Sequence, residues 1–201
     1  MSWFSVRDFE YLDWRVDELF LQPGEVVAVM GESGSGKSLF LRAISDLIVS
    51  SGLVEFEGVS RESMRATEWR RKVGYLPAEI LWWEESVADH FLGIPDEDTL
   101  ARLKLKPDVL EWETSRLSMG ERQRLGLLRL LDRGPSVLLL DEPTSNLDEV
   151  AASRMEGVIL DYAKRAQAGV VWVTHSKEQA ERVASRRFEM ADKKLKGLAN
   201  V

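Results

Sequence analysis

The chain has 201 residues and a mass of 22.8 kDa, with 44% hydrophobic and 30% charged residues, which is the size of one domain and the composition of a globular protein rather than a disordered one. Lys and Arg total 27 against 34 Asp and Glu, a net charge of −7 that argues against duplex nucleic acid as a partner and leaves small anions open, since backbone N–H groups bind them locally. Cysteine is absent, which excludes disulfides, thiolate nucleophiles and Cys-ligated zinc or iron–sulfur centres.

Taken in chain order, residues 4–14 alternate as a strand does (Phe4, Val6; Phe9, Tyr11), and Gln22-Pro23-Gly24-Glu25 is a turn. Val26–Met30 reads as a fully buried strand that ends at Gly31. A helix is expected after Gly36, with Leu39, Phe40, Ala43, Ile44, Leu47 and Ile48 at helical spacing, stopped by Ser50-Ser51-Gly52. Leu53–Phe56 and Val73–Leu76 read as strands, the second closed by Pro77. From residue 84 the charges are dense, and Pro95 and Pro107 bracket a short helical piece around Thr99–Leu105, the mark of a small helical insert. Helices follow over Ser118–Leu131 and Glu149–Ala166, with strands over Val137–Leu140 and Val170–Thr174. The tail Lys193–Gly197 is expected to be solvated. Strands alternating with helices predict an α/β fold with a parallel sheet covered on both faces. No apolar run approaches 18 residues, and the first residues lack a basic stretch followed by an apolar one, so neither a membrane span nor a signal peptide is expected.

The segment Gly31-Glu32-Ser33-Gly34-Ser35-Gly36-Lys37-Ser38, followed by Leu39, fits G-x-x-x-x-G-K-[ST]. Read alone, its Ser and Gly residues could form a flexible linker. An apolar strand enters it and an apolar-faced helix leaves it, which is the context a phosphate loop requires. Its glycines let successive N–H groups wrap a phosphate, and the helix N-terminus adds positive potential. Lys37 reaches the β- and γ-phosphates, and the Ser38 hydroxyl serves Mg²⁺. A second piece, Val137–Leu140 followed by Asp141-Glu142-Pro143, is a buried strand that ends in two acids. Asp141 is placed as a Mg²⁺ ligand and Glu142 as the base that polarises an attacking water; the simpler alternative is helix capping through Asn146 or Asp148.

Leu117-Ser118-Met119-Gly120-Glu121-Arg122-Gln123-Arg124 resembles the signature sequence (L-S-G-G-Q/E) of the ATP-binding-cassette ATPases. Ser145-Asn146-Leu147-Asp148 is similar to that family's D-loop, and Trp172-Val173-Thr174-His175 to its switch histidine. Ser118-x-x-Glu121 is also a capping box, which alone would account for both residues as a helix start. The resemblance implies a single domain over residues 1–201: a P-loop parallel sheet core, an N-terminal antiparallel β subdomain and a helical subdomain near residues 84–116. It implies ATP with Mg²⁺ and ATP hydrolysis, with Lys37, Glu142 and His175 as the catalytic groups. Ser118 and Gly120 would face the γ-phosphate of ATP on a second copy of the chain, so that two subunits sandwich two nucleotides.

The family stacks an aromatic on adenine, for which Tyr11 and Trp14 are the candidates, Tyr11 preferred. Where the family has Gln after a strand ending near Gly74-Tyr75-Leu76-Pro77, this chain has Ala78 and then Glu79; either Glu79 substitutes as a metal ligand or that contact is lost. Trp82 and Trp83 follow, either as core of the helical insert or as a docking anchor for a membrane subunit. The function implied is the ATPase subunit of a transporter, peripheral on the cytoplasmic face of a membrane and working through a separate permease, with no nucleic acid. Val170–His175 and the short insert are similar to metal- or iron-export members. The alternatives are a cassette ATPase driving a non-transport assembly, or a P-loop kinase, which would leave the signature and D-loop unexplained.

Overall fold

The computed structural model describes residues 3–198. One ten-stranded sheet runs through the molecule in the order β5-β4-β1-β2-β10-β9-β3-β8-β7-β6. Its first part is antiparallel: β1 (Phe4–Tyr11) lies between β2 (Trp14–Leu21) and β4 (Ser51–Phe56), and β5 (Val59–Ser60) forms the edge. Its second part is parallel: β9 (Arg186–Ala191), β3 (Val26–Met30), β8 (Gly169–Val173), β7 (Val137–Asp141) and β6 (Val73–Leu76).

Strands β3, β7 and β8 are β-branched or leucine-rich without polar alternation because both of their faces are covered. Their side chains divide by the period-2 rule. Val27, Val29, Val137, Leu139, Val171 and Val173 enter one core, built with α1 (Lys37–Ile44) and the antiparallel strands. Leu138, Leu140, Val170 and Trp172 enter the other, built with α4 (Met119–Leu131) and α5 (Glu149–Ala166). The remaining helices are α2 (Ala66–Lys72), α3 (Glu97–Arg102) and α6 (Lys177–Val183).

Three expectations need amendment. The tail is solvated, but it is also a strand: Lys193, Lys194, Lys196 and Gly197 are exposed, while β10 (Lys194–Leu198) pairs antiparallel with β9 and sits between β9 and β2. Asp192 and Lys193 both take positive φ (50° and 59°), the twist of a two-residue hairpin turn, and the Lys193 carbonyl accepts from the Arg15 N–H at 2.9 Å. The lysines disguised a strand whose stabilisation is in its backbone ladder. The helix after the phosphate loop stops at Ile44 rather than Ile48, because Asp46 turns left-handed (φ 61°) and Leu47 is left exposed. The short helix of the insert lies at Glu97–Arg102, begun by Asp96, whose carboxylate accepts from the Thr99 N–H at 2.8 Å. The rest of residues 84–116 is short 3₁₀ turns closed by a bridge between Ser86 and Glu113.

Candidate functional site

The C-terminal ends of β3, β8 and β7 lie in register, with Val29 beside Val173 and Val173 beside Asp141. The loops leaving these strands therefore open on one edge of the sheet, where open α/β folds bind ligands. A cleft of about 200 Å³ there is lined by residues 33–39, Glu142 and His175. The structure thus brings together three segments that are more than 100 positions apart at their extremes.

The phosphate loop is shaped by glycine where no other residue fits. Gly31 has φ 147°, and a Cβ there would lie 2.6 Å from the Met190 carbonyl oxygen. Gly36 has φ 78°, and its Cβ would lie 2.8 Å from the Trp14 ring. The Lys37 ammonium, buried at the start of α1, donates to the Gly31 carbonyl at 2.8 Å and the Glu32 carbonyl at 2.7 Å. Burial lowers its pKa, an effect opposed by the Glu142 and Asp141 carboxylates.

At the far wall, His175 Nε2 lies 2.6 Å from Glu142 Oε1. Glu142 holds φ 47°, an uncommon conformation for a side chain of this type, fixed by the Glu142 N–H donating to the Val173 carbonyl at 3.1 Å and the Ser145 N–H donating to the Glu142 carbonyl at 3.2 Å. Behind this pair, a larger cavity of about 460 Å³ shares Glu142 and His175 as wall and contains a buried polar network. There Gln179 accepts from the Thr174 hydroxyl at 2.7 Å and donates to Thr144 at 2.8 Å and Glu156 at 2.6 Å, while Arg182 grips Glu156 with two bonds of 2.8 Å. This network fixes the segments that carry Glu142 and His175.

Asp141 is 3% exposed and has no cationic partner among the described residues. Its Oδ2 accepts from the Tyr75 hydroxyl at 3.0 Å. Among the described residues no group of three or more His, Cys, Asp or Glu could hold a metal by itself. That donor set fits Mg²⁺, which takes one or two carboxylates and completes its shell with phosphates and waters, and does not fit a metal needing an all-protein cage. Asp141 and the Ser38 hydroxyl would hold it. Glu79 is exposed and does not line the cleft.

Tyr11 does not serve as the adenine platform. It is 1% exposed, its ring packed 5.9 Å from both Phe9 and Phe40, and burial pushes its phenol upward in pKa. The half-buried aromatic against the phosphate loop is Trp14, at Gly36. Ser118 does start α4 with a full capping box: Glu121 N–H donates to its hydroxyl, and Glu121 Oε2 accepts from the Ser118 N–H at 2.9 Å. Ser118 and Gly120 are not among the residues that line the cleft of their own chain. Gly120 instead abuts the loop before α5, where a Cβ would meet Leu147 at 3.3 Å, and Asp148 caps α5 through the Ala151 N–H at 2.8 Å.

Sequence reasoning singled out Trp82 and Trp83 but gave no role to Tyr75, Arg129 or His90. Trp82 and Trp83 each hold the Arg129 guanidinium 4.7 Å over a ring, and Arg129 also donates to the Leu81 carbonyl at 3.0 Å. Burial, with Arg133 nearby, lowers Arg129 to about 10. His90 Nε2 accepts from the Trp83 and Glu84 N–H groups, both at 3.1 Å. Trp82 is half-buried and Trp83 is 63% exposed, so the pair is neither wholly core nor wholly surface. Trp83, Tyr75, Pro77 and Arg129 line a groove of about 280 Å³ on α4. No helix of the described residues is long and apolar enough to cross a membrane.

The ABC transporter family matches residues 16–145. A putative ABC transporter ATP-binding protein of Bacillus subtilis is 37% identical over 191 residues, which is 89% of this chain and 76% of that protein. An aliphatic sulfonates import ATP-binding protein of Cupriavidus necator is 34% identical over 88% of this chain, and the chain spans only 60% of its length. A probable iron export ATP-binding protein of Escherichia coli is 34% identical over 79% of this chain and 76% of its own. A solved ATP-binding subunit of an ABC transporter superposes with a TM-score of 0.85 at 21% identity, over 96% of this chain and 88% of that one.

Proposed function

Because the chain belongs to the ABC transporter family, we propose that it hydrolyses ATP as the ATPase subunit of a transporter, acting as a homodimer on a separate transmembrane permease at the cytoplasmic face of the membrane. The observation that carries this reading is the cleft lined together by the phosphate loop, Glu142 and His175. Residues 33–38 wrap the phosphates with backbone N–H groups, Lys37 neutralises their charge, and Trp14 offers a ring beside the loop for adenine. Ser38 and Asp141 would hold Mg²⁺, which would supply neutralisation of the phosphate charge. Glu142 takes a proton from the water whose oxygen attacks the γ-phosphorus, the bond to the bridging oxygen breaks, and ADP and phosphate leave. His175, 2.6 Å from Glu142, orients that carboxylate and the water.

Ser118 and Gly120 begin a capped helix away from their own cleft, which supports a site completed by a second copy presenting these residues to the γ-phosphate. Residues 84–116 would then move as a helical subdomain of this one domain, and the groove with Trp83 would receive the permease. Sulfonate import and iron export relatives are equally similar, at 34% each, so similarity selects no cargo. The test is phosphate release from ATP by the purified chain with and without Mg²⁺, across a range of protein concentrations. Mg²⁺-dependent turnover whose specific activity rises with concentration is expected; no Mg²⁺-dependent release at any concentration overturns the reading.

A further inference from the structure

The family's glutamine after β6 is replaced by Ala78, whose methyl group cannot reach a metal shell, and Glu79 is exposed outside the cleft. That would leave the groove and the metal carboxylate without a polar connection through this loop. Tyr75, three residues earlier on β6, supplies one. Its ring lines the groove together with Trp83 and Arg129, while its hydroxyl donates to Asp141 Oδ2 at 3.0 Å. The Tyr75 phenol oxygen in turn accepts from Arg42 Nε of α1 at 3.4 Å. One phenol therefore joins the helix of the phosphate loop, strand β6 and the carboxylate at the end of β7. A phenylalanine would fill the same volume, so the hydroxyl is the informative atom: a Tyr at a half-buried strand position needs a partner, and here the partner is the buried carboxylate.

The loop after β6 is also mechanically tied to the groove. Gly126 of α4 packs so closely on it that a Cβ would come within 2.9 Å of Ile80, and Arg129 is clamped between Trp82 and Trp83. An occupant of the groove would touch Tyr75 itself, because Tyr75 lines it beside Trp83 and Arg129 while also packing against the core on the α1 face.

We propose that Tyr75 is a positioning residue that orients Asp141 toward Mg²⁺ and carries the state of the groove to the metal, in the place of the missing glutamine. The inference rests on the nucleotide reading given above. A donor to a metal-binding carboxylate fixes which lone pairs face the ion, and losing such a partner commonly weakens metal affinity ten- to a hundredfold.

The test is Mg²⁺ titration of a fluorescent ATP analogue bound to the Glu142→Gln chain, a background chosen to hold the nucleotide intact. Adding Tyr75→Phe should move the Mg²⁺ midpoint about tenfold higher and leave nucleotide binding in the absence of Mg²⁺ unchanged, a separation that a purely structural tyrosine would not produce. Arg42→Gln, at an exposed position and without risk to folding, should move the midpoint in the same direction by about threefold. A Glu142→Gln chain that binds with Mg²⁺, and a midpoint unmoved by either second substitution, overturns the role of Tyr75 while sparing the nucleotide reading. A Glu142→Gln chain that gains no binding from Mg²⁺ overturns both.

Discussion

Replacing Glu142 by Gln separates chemistry from stability. Glu142 and His175 are 2.6 Å apart, with side chains 28% and 45% exposed. At that exposure the contact is worth about 0–1 kcal/mol to the fold, which moves the melting temperature by no more than about 4 °C in a chain of this size. Gln is nearly isosteric, keeps an oxygen within reach of His175, and leaves the Glu142 backbone bonds to Val173 and Ser145 in place. The chemical step is different: an amide cannot take the proton from water. Removing a positioned general base costs about 10²–10⁴ in rate, or about 2.7–5.4 kcal/mol of barrier. Single-turnover phosphate release, with thermal melts of both proteins, measures the two quantities separately. The substitution should also favour an ATP-bound dimer, seen by sedimentation. A well-folded Glu142→Gln chain whose turnover stays within about tenfold of the parent would remove Glu142 from the role of base.

Neither Lys37→Ala nor Ser118→Arg alone should turn over ATP, but mixing them should restore one composite site per mixed dimer, up to about a quarter of parent activity if the sites act independently; no recovery with both chains folded and dimerising would count against a shared site. Trp83→Ala, at a position 63% exposed, should lower the melt by about 2 kcal/mol or less, yet weaken capture of the permease by on the order of 2–4 kcal/mol, about 30-fold or more. Trp82→Ala, whose indole nitrogen is buried, should cost more in the melt than Trp83→Ala; equal melts for the two, with capture unchanged, would refute the docking role. Burial works to raise the Glu156 carboxyl, but hydrogen bonds from Arg182 and Gln179 outweigh it and hold its pKa below the ordinary value. A depressed folded pKa stabilises above the unfolded value of about 4.3, and that contribution is lost as pH falls through the folded one. The stability gap between the parent and Glu156→Gln should therefore be widest near neutrality and close in acid, as denaturation midpoints from about pH 3 to 7 would show.

The sequence announces those parts of the fold where side-chain chemistry and backbone geometry agree. Val26–Met30 and Val73–Leu76 match their strands residue for residue, because each is a short run of strand-forming residues that Gly or Pro ends. Ser118 and Glu121 announced a helix start because capping is a local interaction. What stayed hidden depends on partners distant in sequence. β10 is held by its ladder to β9 and by a turn that lacks the usual Asn-Gly, so the exposed Lys194 and Lys196 announced solvation but not the strand. The choice between Tyr11 and Trp14 was undecidable from the sequence, since both are aromatic and next to the same turn; only the packing of Tyr11 onto Phe9 and Phe40 settles which ring has a free face.

Tyr75 shows the same limit from the functional side. It lies on a strand that was recognised, yet its role comes from Asp141, 66 positions away, through a register in which β6 lies beside β7. In that register Tyr75 pairs with Leu139 and Leu76 with Leu140, so the phenol rises from the strand two residues below the acid, on the same face of the sheet, and its hydroxyl, at the tip of a rigid ring, reaches the carboxylate. Burial raises the phenol's pKa to about 12, which keeps it protonated and a donor at every pH at which the enzyme would work. A glutamine at position 78 would approach the metal region from the loop after β6, whereas Tyr75 reaches Asp141 from the strand itself. On the proposed role, the state of the groove would reach Asp141 through an occupant's contact with Tyr75, which lines that groove.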